Sequence, residues 1–268
     1  MTVAMAEIVD GCRLKCVLCY NNIRTPSFRQ MELGTLEKFI TKYFPWRKGY
    51  TSWGEPLLHT EFLTIADMIK GSNSDLHSSF SLDIPDEYFK VMGNFDRINI
   101  SLSGLTQDVH ELYHKGGNCS LTLKNIRKLL DNVDREKTKL YIHFLVHRDN
   151  EYQLKEAEEL FTNMGFIFIP VRLFYQIEGM LEGFSHPYLK GKEYDFHRRS
   201  FYCKEVRNPR IDIDGRHMLC CGTRNVPIGF TLDDDVPEEL LIETKMKHPL
   251  CRKCQETKHW RMIRGNVV

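Results

Sequence analysis

Three cysteines near the start of the chain are the residues best suited to carry chemistry. Cys12, Cys16 and Cys19 follow a C-x3-C-x2-C spacing directly behind an apolar run at 4–9. Three thiolates supply three of the four iron ligands of a [4Fe-4S] cluster, so one iron is left open for a chelating substrate or cofactor. The spacing therefore predicts an iron-sulfur centre with one reactive iron.

Zinc and disulfide bonds are the alternatives for the same thiols. Structural zinc prefers Cys or His in two separated pairs that close a tetrahedron, and three thiols within eight residues fit that arrangement poorly. No apolar signal peptide precedes the motif, and the total of nine cysteines is odd. A disulfide framework is therefore not expected.

The segment 10–21 resembles the activating loop of the radical S-adenosylmethionine (radical SAM) superfamily. In that family SAM chelates the open iron through its amino and carboxylate groups, and the residue before the third cysteine, here Leu18, packs near the adenine. The resemblance implies that reductive cleavage of SAM gives methionine and a 5′-deoxyadenosyl radical. This radical then takes a hydrogen atom from an unactivated carbon of the substrate.

A second motif follows the second predicted strand. Gly54, Glu55 and Pro56 resemble the family's Gly-Gly-Glu-Pro motif, with Trp53 in place of the first glycine. Trp lacks the freedom of glycine at positive φ, so the exchange restricts the backbone. The resemblance implies that this stretch contacts the SAM amino group through backbone carbonyls and the glutamate.

Further candidates lie at the ends of later strands, because parallel α/β sheets bind ligands at the carboxyl ends of their strands. Ser101 and Ser103 share one face of a strand, and by resemblance either hydroxyl would bind the SAM carboxylate or ribose. A plain Ser-Gly turn is the alternative. Arg172 and the loop 147–150 are candidates for SAM or substrate, although Asn150 is also predicted to cap the next helix.

Four polar residues after the serine strand are interpreted as a solvated loop rather than as substrate contacts. They are His110, Tyr113, His114 and Lys115.

A second group of cysteines lies near the end of the chain. Its members are Cys203, Cys220, Cys221, Cys251 and Cys254. The stretch 209–219 alternates apolar and polar residues around Asp214-Gly215, which predicts a β-hairpin that brings the first three of these cysteines together. Two pairs of thiols are what a tetrahedral zinc site prefers, so zinc stays open as an alternative here.

This second group resembles the C-terminal extension called SPASM, or its shorter form twitch, in which radical SAM enzymes carry auxiliary [4Fe-4S] clusters. The pattern is C-x(9–15)-G-x4-C followed by C-x2-C, with Gly215 at the glycine position. No cysteine follows Cys254, so the resemblance implies one auxiliary cluster. The x4 spacing favours Cys220 over Cys221 as a ligand without deciding between them.

The chain between the motifs alternates strand-like and helix-like runs, which is typical of repeated β-α units with a parallel sheet. Strands are predicted at 4–9, 48–52, 79–84, 97–102, 139–146 and 166–174. Helices are predicted at 35–44, 61–70, 86–92, 121–132, 151–164 and 236–246. We expect an α/β fold: a partial (β/α)6 TIM-like barrel over 1–180, with a small twitch/SPASM-like β-hairpin and helix extension over 181–268.

Composition and charge agree with an ordinary globular enzyme. The 268 residues are 42% hydrophobic and 27% charged, with a net charge of +1, so neither a membrane span nor a nucleic-acid partner is expected. Reduced, metal-loaded thiols predict a cytoplasmic protein. The resemblance adds a small-molecule or peptide substrate and an electron donor such as flavodoxin or ferredoxin.

Net oxidation of a small metabolite is the predicted reaction. A fully thiolate-ligated auxiliary cluster has no open iron for substrate, which favours a role in accepting electrons. In length and cysteine number the chain is similar to the twitch-type alcohol dehydrogenases of aminoglycoside biosynthesis. Two alternatives stay open: a maturase that crosslinks or oxidises a ribosomal peptide, and a non-catalytic iron-sulfur or zinc module.

Overall fold

A mostly parallel sheet organises the protein in its computed structural model. The structure describes residues 3–17, 19, 25–50, 54–147, 149–172, 206–220 and 223–256, and the side chains of 172, 223–225 and 253–256 lie outside this description. Within these ranges nine strands follow the order β6-β5-β4-β3-β2-β1-β7-β8-β9. They are β1 (Val3–Ala6), β2 (Arg47–Gly49), β3 (Ser74–Ser78), β4 (Arg97–Leu102), β5 (Lys139–Val146), β6 (Ile167–Arg172), β7 (Arg210–Ile211), β8 (Arg216–Cys220) and β9 (Thr223–Thr231).

Helices connect the strands in sequence order. The described α-helices are α1 (Leu33–Lys42), α2 (Phe62–Met68), α3 (Asp86–Val91), α4 (Gln107–Tyr113), α5 (Cys119–Asn132), α6 (Leu154–Asn163), α7 (Glu238–Lys247) and α8 (Pro249–Glu256). Short 3-10 turns cover Pro56–Leu58, Met92–Asn94 and Glu151–Gln153. Strands β1 to β6 pair in parallel with their sequence neighbours, so the carboxyl ends of all six lie along one edge.

One face of this sheet is covered by helices and the other is more open. Along β5, Leu140, Ile142 and Phe144 are buried, whereas the alternate residues Tyr141 and His143 are only half-buried. The buried set belongs to a core that also contains apolar residues of α1, α2, α3, α5 and α6. Burial of this apolar surface is the main favourable term that holds the helices on the sheet.

Two predicted strands are confirmed residue for residue, and one was wrong. The predictions 97–102 and 139–146 coincide with β4 and β5. The segment 79–84 is not a strand, because the third strand is Ser74–Ser78.

Paired charges explain why β3 escaped prediction. Asp75 is 1% exposed and is bonded by the guanidinium groups of Arg47 and Arg97. Ser74 donates its backbone N–H to Asp96 Oδ2 at 2.7 Å. A buried polar group is tolerated when it is hydrogen-bonded, and partners supplied by other strands cannot be read from local periodicity.

The prediction that Asn150 caps the next helix with its side chain was also wrong. Asn150 occupies the position before the Glu151–Gln153 turn, but its side chain makes no capping hydrogen bond. Its Nδ2 donates instead to the carbonyl oxygens of Ser103 at 2.8 Å and Leu145 at 2.7 Å. The amide therefore ties the ends of β4 and β5 together.

The last part of the described chain adds antiparallel strands to the edge of the sheet. Strand β7 is parallel to β1, with Met5 opposite Arg210, and antiparallel to β8, with Ile211 opposite His217. The turn between β7 and β8 contains Gly215 at φ 78°, a conformation that favours glycine. Helices α7 and α8 follow β9.

The predicted division near residue 180 falls outside the described residues, so it stays a prediction. No helix within the described ranges is long and apolar enough to cross a membrane.

Candidate functional site

The loop that carries the three N-terminal cysteines is closed at its base by backbone pairing. We refer to residues 11–27 as the cysteine loop. Val9 forms an isolated antiparallel bridge with Gln30. Asp10 donates its N–H to the carbonyl of Arg29 at 2.8 Å and accepts from the N–H of Phe28 at 3.0 Å. The two ends of the loop therefore lie side by side, just beyond β1.

A second backbone contact fixes the middle of the cysteine loop. Lys15 donates its N–H to the carbonyl of Lys115 at 2.9 Å, and Val17 donates to that of Tyr113 at 3.0 Å. These two bonds flank Cys16. The segment 113–115 at the end of α4, which we call the strap, thus holds the cysteine between two main-chain hydrogen bonds.

The strap is itself anchored by buried histidines. The Ser103 hydroxyl donates to the His110 carbonyl at 3.0 Å and lies 2.6 Å from His114 Nδ1. The two imidazole rings stack with centroids 4.7 Å apart. His110 is 0% and His114 is 2% exposed, and Tyr113 is also buried, so the interpretation of this segment as a solvated loop was wrong for these three. His110 and Tyr113 lie on α4 and His114 directly follows it, and of the four residues only Lys115 is exposed.

Each of the three cysteines is half-buried. Burial raises the pKa of Cys12 to about 12, with a further contribution from the charge of Glu55. The pKa of Cys16 is raised by burial first and then by the neighbouring Cys19 and Cys12. Without a cation the thiols of Cys12 and Cys16 stay protonated at neutral pH. Metal binding would displace their protons, since the thiolate is the ligand.

This donor set fits an iron-sulfur cluster better than a single ion. Among the described residues, no three His, Cys, Asp or Glu side chains converge on one point that could hold a metal ion. In a cubane each thiolate binds a different iron, so the three sulfur atoms need to surround a cluster rather than meet at a point. The three thiols belong to one loop that main-chain hydrogen bonds hold in place, which agrees with that requirement.

Gly54 brings the second motif against the entrance of the cysteine loop. A Cβ at this position would lie 1.8 Å from the Val9 carbonyl oxygen, which no side chain can tolerate. Glu55 next to it donates its N–H to the carbonyl of Gly11 at 2.8 Å. The glycine is thus needed for close approach of two backbones, and the motif and the cysteine loop form one unit.

The Glu55 carboxyl group is buried and accepts hydrogen bonds from neighbouring segments. Oε1 accepts from Leu57 N at 3.3 Å, and Oε2 accepts from Ser79 N at 3.2 Å and Ser79 Oγ at 3.3 Å. The residue is 4% exposed. Burial raises the pKa of Glu55, and hydrogen bonds from Ser78 and Ser79 oppose that shift. Pro56 begins the 3-10 turn that Glu55 precedes.

Ser79 was not anticipated as a site residue. It was assigned to a strand that does not exist, and it lies 24 residues from Glu55. No spacing signal connects the two, because their contact depends on how β3 pairs with β2.

The two predicted serines have different surroundings. Ser103 is 0% exposed, and its hydroxyl is engaged in the strap anchor. Ser101 is half-buried and lies opposite His143 in the β4–β5 register. Arg172 ends β6, with its side chain outside the description, and Leu18 lies outside the described residues altogether. Their roles stay predictions.

Two members of the second cysteine group are described in full, and both are half-buried. Cys220 ends β8, directly after Leu219. Cys251, on α8, packs against a small apolar cluster that contains Leu219 and Leu241. The end of the strand and the helix therefore pack together.

The remaining members of this group cannot be placed. Cys203 and Cys221 lie outside the described residues, and Cys254 is on α8 with its side chain outside the description.

Comparison with curated proteins identifies distant relatives of the core. The chain is 29% identical over 183 residues to a probable GTP 3′,8-cyclase from Methanocaldococcus jannaschii, covering 62% of this chain and 58% of the relative. A protein of the same name from Methanococcus maripaludis is 27% identical over 177 residues, again with 62% and 58% coverage. The chain thus spans less than two thirds of the length of these relatives.

Solved structures share the fold at low sequence identity. Native anSMEcpe with bound AdoMet has a TM-score of 0.65 at 14% identity, covering 94% of this chain and 82% of that one. Streptococcus suis SuiB bound to S-adenosylmethionine has a TM-score of 0.65 at 12% identity, covering 92% and 66%. BtrN in complex with AdoMet and 2-DOIA has a TM-score of 0.50 at 12% identity, covering 96% and 86%.

A family model covers more than half of the chain and includes both motifs. The model described as Radical SAM superfamily matches residues 6–161, from the end of β1 into α6. Together with the fastened trio of thiols and the adjoining Gly54-Glu55 turn, this match establishes that the chain belongs to the radical SAM superfamily.

Proposed function

We propose that the protein is a radical SAM oxidoreductase that acts on a small metabolite. In this proposal it cleaves SAM reductively at a [4Fe-4S] cluster bound by Cys12, Cys16 and Cys19, removes a hydrogen atom from the substrate and completes a net oxidation. The observation that carries the proposal is the position of the cysteine loop. Backbone bonds from the strap and from Glu55 hold it beyond the carboxyl end of β1.

The chain's own residues have distinct parts in this proposal. The three thiolates would hold the cluster, and the Gly54–Glu55 backbone with Ser101 would position SAM. When bound, cluster and SAM supply the radical that abstracts hydrogen. The parallel order β1 to β6 with helices on one face supports a partial (β/α)6 barrel, whose strand ends collect these residues at one edge.

We further propose one auxiliary [4Fe-4S] cluster that accepts the electron released by substrate. Its ligands would be Cys203, Cys220 or Cys221, Cys251 and Cys254. Leu219, the neighbour of Cys220, belongs to a small apolar cluster against which Cys251 packs. This packing lies between the end of β8 and α8, and it supports a shared site. Flavodoxin or ferredoxin would supply the reducing electron for SAM, in the cytoplasm.

A second candidate is cyclisation of GTP. The name of the curated relatives favours it, and their match to this chain covers most of the core. The candidate differs from net oxidation in substrate charge and product, so the two are separable by adding GTP. The similarity to solved structures supports the fold alone, and a peptide substrate stays a third possibility.

Anaerobic reconstitution followed by reduction with dithionite tests the proposal. We expect about eight iron and about eight sulfide per chain, as two cubanes require, and 5′-deoxyadenosine formation from SAM. The triple variant Cys12→Ala, Cys16→Ala, Cys19→Ala should form none. A fold check by circular dichroism on the variant separates loss of ligands from loss of structure.

Each other outcome selects an alternative. Zinc without sulfide, and intact SAM after reduction, would establish a non-catalytic module. A cyclised nucleotide formed from GTP would establish the second candidate, and turnover only with a precursor peptide would establish a maturase.

A further inference from the structure

A cavity of about 190 Å³ lies at the edge of the sheet opposite the cysteine loop. Its lining combines basic, aromatic and apolar side chains, among them Lys42, Tyr43, Trp46, Arg207, Ile242 and Lys245. Trp46 directly precedes β2 and Pro209 directly precedes β7, and both strands run parallel to β1. The cavity is therefore at the amino ends of these strands, whereas the cysteine loop lies beyond the carboxyl end of β1. We call it the basal cavity.

Two parts of the chain enclose the basal cavity. Lys42 ends α1 of the main α/β body, and Tyr43 follows it. Ile242 and Lys245 are on α7, the helix that precedes α8 and its cysteines. A ligand in the cavity would therefore contact both the main body and the C-terminal helices.

Two lysines of the lining are held by backbone carbonyl groups. Lys42 Nζ donates to the carbonyl oxygens of Leu232 at 3.1 Å and Asp234 at 2.6 Å. Lys245 is 2% exposed, and its Nζ donates to the carbonyl oxygen of Asn208 at 2.8 Å. A carbonyl oxygen satisfies an N–H group but carries no net charge. These contacts therefore fix the ammonium groups in place and leave their charges uncompensated.

Arg207 is the cation best placed to bind an anion. It is half-buried, and its guanidinium group forms no hydrogen bond or ion pair within the described chain. Glu238, the acidic residue of the described lining, is exposed and does not pair with it. A guanidinium group presents its donors as a fixed fork that matches the two oxygens of a carboxylate.

A neighbouring histidine reports the positive surroundings. His217 is 1% exposed, and its Nε2 lies 3.5 Å from the Tyr43 hydroxyl group. Burial lowers the pKa of His217 to about 4, and the charges of Lys42 and Lys245 add to this shift, whereas Asp234 opposes it. At neutral pH the ring is therefore uncharged, so the positive charge beside the cavity belongs to the lysines and Arg207.

The other walls of the basal cavity are apolar. Tyr43 and Trp46 form an aromatic pair with ring centroids 5.6 Å apart. Leu241 and Ile242 supply aliphatic groups from α7. The volume is below the roughly 300–1,000 Å³ of cavities that hold drug-sized ligands. The cavity is thus suited to a small molecule with one charged end and one apolar end.

We propose that the basal cavity binds a small monocarboxylate with a flat apolar body, such as an aromatic acid. The carboxylate bonds to the guanidinium group of Arg207, and the apolar body packs against Trp46 and Ile242. An inorganic anion would leave the apolar walls uncovered, and an amine would meet three cations. This second binding site is separate from the proposed SAM site and does not depend on the proposed reaction.

Titrations followed by ¹⁹F NMR, with the full-length reconstituted protein and saturating SAM, test the proposal. Three probes are added separately: 4-fluorobenzoate, 4-fluorobenzylamine with the same ring and the opposite charge, and fluorophosphate with no ring. We expect saturable binding of 4-fluorobenzoate alone. Arg207→Gln should weaken this binding about tenfold or more, because hydrogen bonds between two charged groups are lost.

Matched variants separate binding in the cavity from other effects. Arg127→Gln makes the same exchange at an exposed position on α5 and should leave the affinity unchanged. Ile242→Trp fills the cavity without altering its charges and should also abolish binding. Circular dichroism checks the fold of each variant, and formation of 5′-deoxyadenosine should be the same in Arg207→Gln as in the parent protein.

Three results would overturn the proposal. Parent affinity for 4-fluorobenzoate in both Arg207→Gln and Ile242→Trp would show that the acid binds elsewhere. Binding of fluorophosphate or 4-fluorobenzylamine as tight as that of 4-fluorobenzoate would reject the ligand class. Absence of binding with all three probes would reject the basal cavity as a site for this class of ligand.

Discussion

The two cysteine groups differ in what holds them. The cysteine loop is fastened by main-chain hydrogen bonds from the strap and from the Gly11–Glu55 contact, both part of the main α/β body. Cys220 and Cys251 instead lie on a strand end and a separate helix, and Cys251 packs against a small apolar cluster distinct from the main core. The first site is therefore built into the sheet edge, whereas the second depends on how two surface elements pack.

The largest effect is expected at the glycine that joins the second motif to the cysteine loop. In Gly54→Ala the new Cβ would lie 1.8 Å from the Val9 carbonyl oxygen, so the two backbones must separate. We expect loss of bound iron and of SAM cleavage, with unfolding destabilised by several kcal/mol, in the range of about 3–5. Iron content and thermal unfolding are the measurements.

Gly34→Ala is the matched control for that variant. Nothing lies within 4 Å of a Cβ at Gly34, which is in α1. An alanine in a helix favours folding by roughly 0.5–1 kcal/mol over glycine. Equal damage in both variants would show that the Gly54 contact has no special role.

Removing a thiol from the second group should affect half of the iron. Cys251→Ala is expected to lower the iron content from about eight to about four per chain while 5′-deoxyadenosine still forms, because the cysteine loop shares no ligand with α8. Cys119→Ala removes a buried thiol that contacts the Gly104 carbonyl and should leave the iron content unchanged. Complete loss of iron in Cys251→Ala would show that the two sites are not independent.

Two serines separated by one residue should respond in different ways. Ser103→Ala removes the partner of His114 in a fully buried position and should cost about 1–3 kcal/mol of unfolding free energy. Ser101→Ala should leave stability unchanged and weaken SAM binding about fivefold. Urea unfolding and a SAM titration measure the two effects. If Ser101→Ala lost stability and Ser103→Ala lost SAM binding, the roles assigned to the two serines would be reversed.

A smaller, pH-dependent effect is expected from the strap anchor. Burial lowers the pKa of His110 from 6.5 to about 4, so the unfolded chain binds more protons between these values. The contribution of the buried, neutral His110 to the free energy of unfolding is full above about pH 6.5 and is lost as the pH falls toward about 4. His110→Leu should reduce this loss by about 1–2 kcal/mol at about pH 5, measured by urea unfolding. If His110→Leu and the parent protein showed the same dependence of unfolding free energy on pH, the lowered pKa assigned to His110 would be contradicted.

Sequence patterns predicted the parts of the fold that depend on local periodicity. Strand β5 alternates buried residues with more exposed ones, and β4 is a mostly buried run. The predicted helix 121–132 corresponds to α5. Strand β3 and helix α4 were missed because their buried polar residues have distant partners. Asp75 is paired by Arg97 from the next strand, and His114, directly after α4, is paired by Ser103, directly after β4.

The same distinction applies to the candidate site. Cysteine spacing and the Gly54-Glu55 motif predicted the candidate site, because these residue types are informative on their own. The strap and the anchoring of Glu55 by Ser79 could not be predicted, since each joins segments far apart in sequence.

Fastening through main-chain atoms has a consequence for how this loop could evolve. Arg13, between the first two cysteines, is exposed, and the main-chain hydrogen bonds that hold the loop use backbone groups of Lys15, Val17 and Gly11. The charge at position 13 can therefore be exchanged without breaking these main-chain bonds. Such exchanges would tune the reduction potential of a bound cluster. Related proteins with this loop could therefore differ in reduction potential while keeping the same arrangement of cysteines.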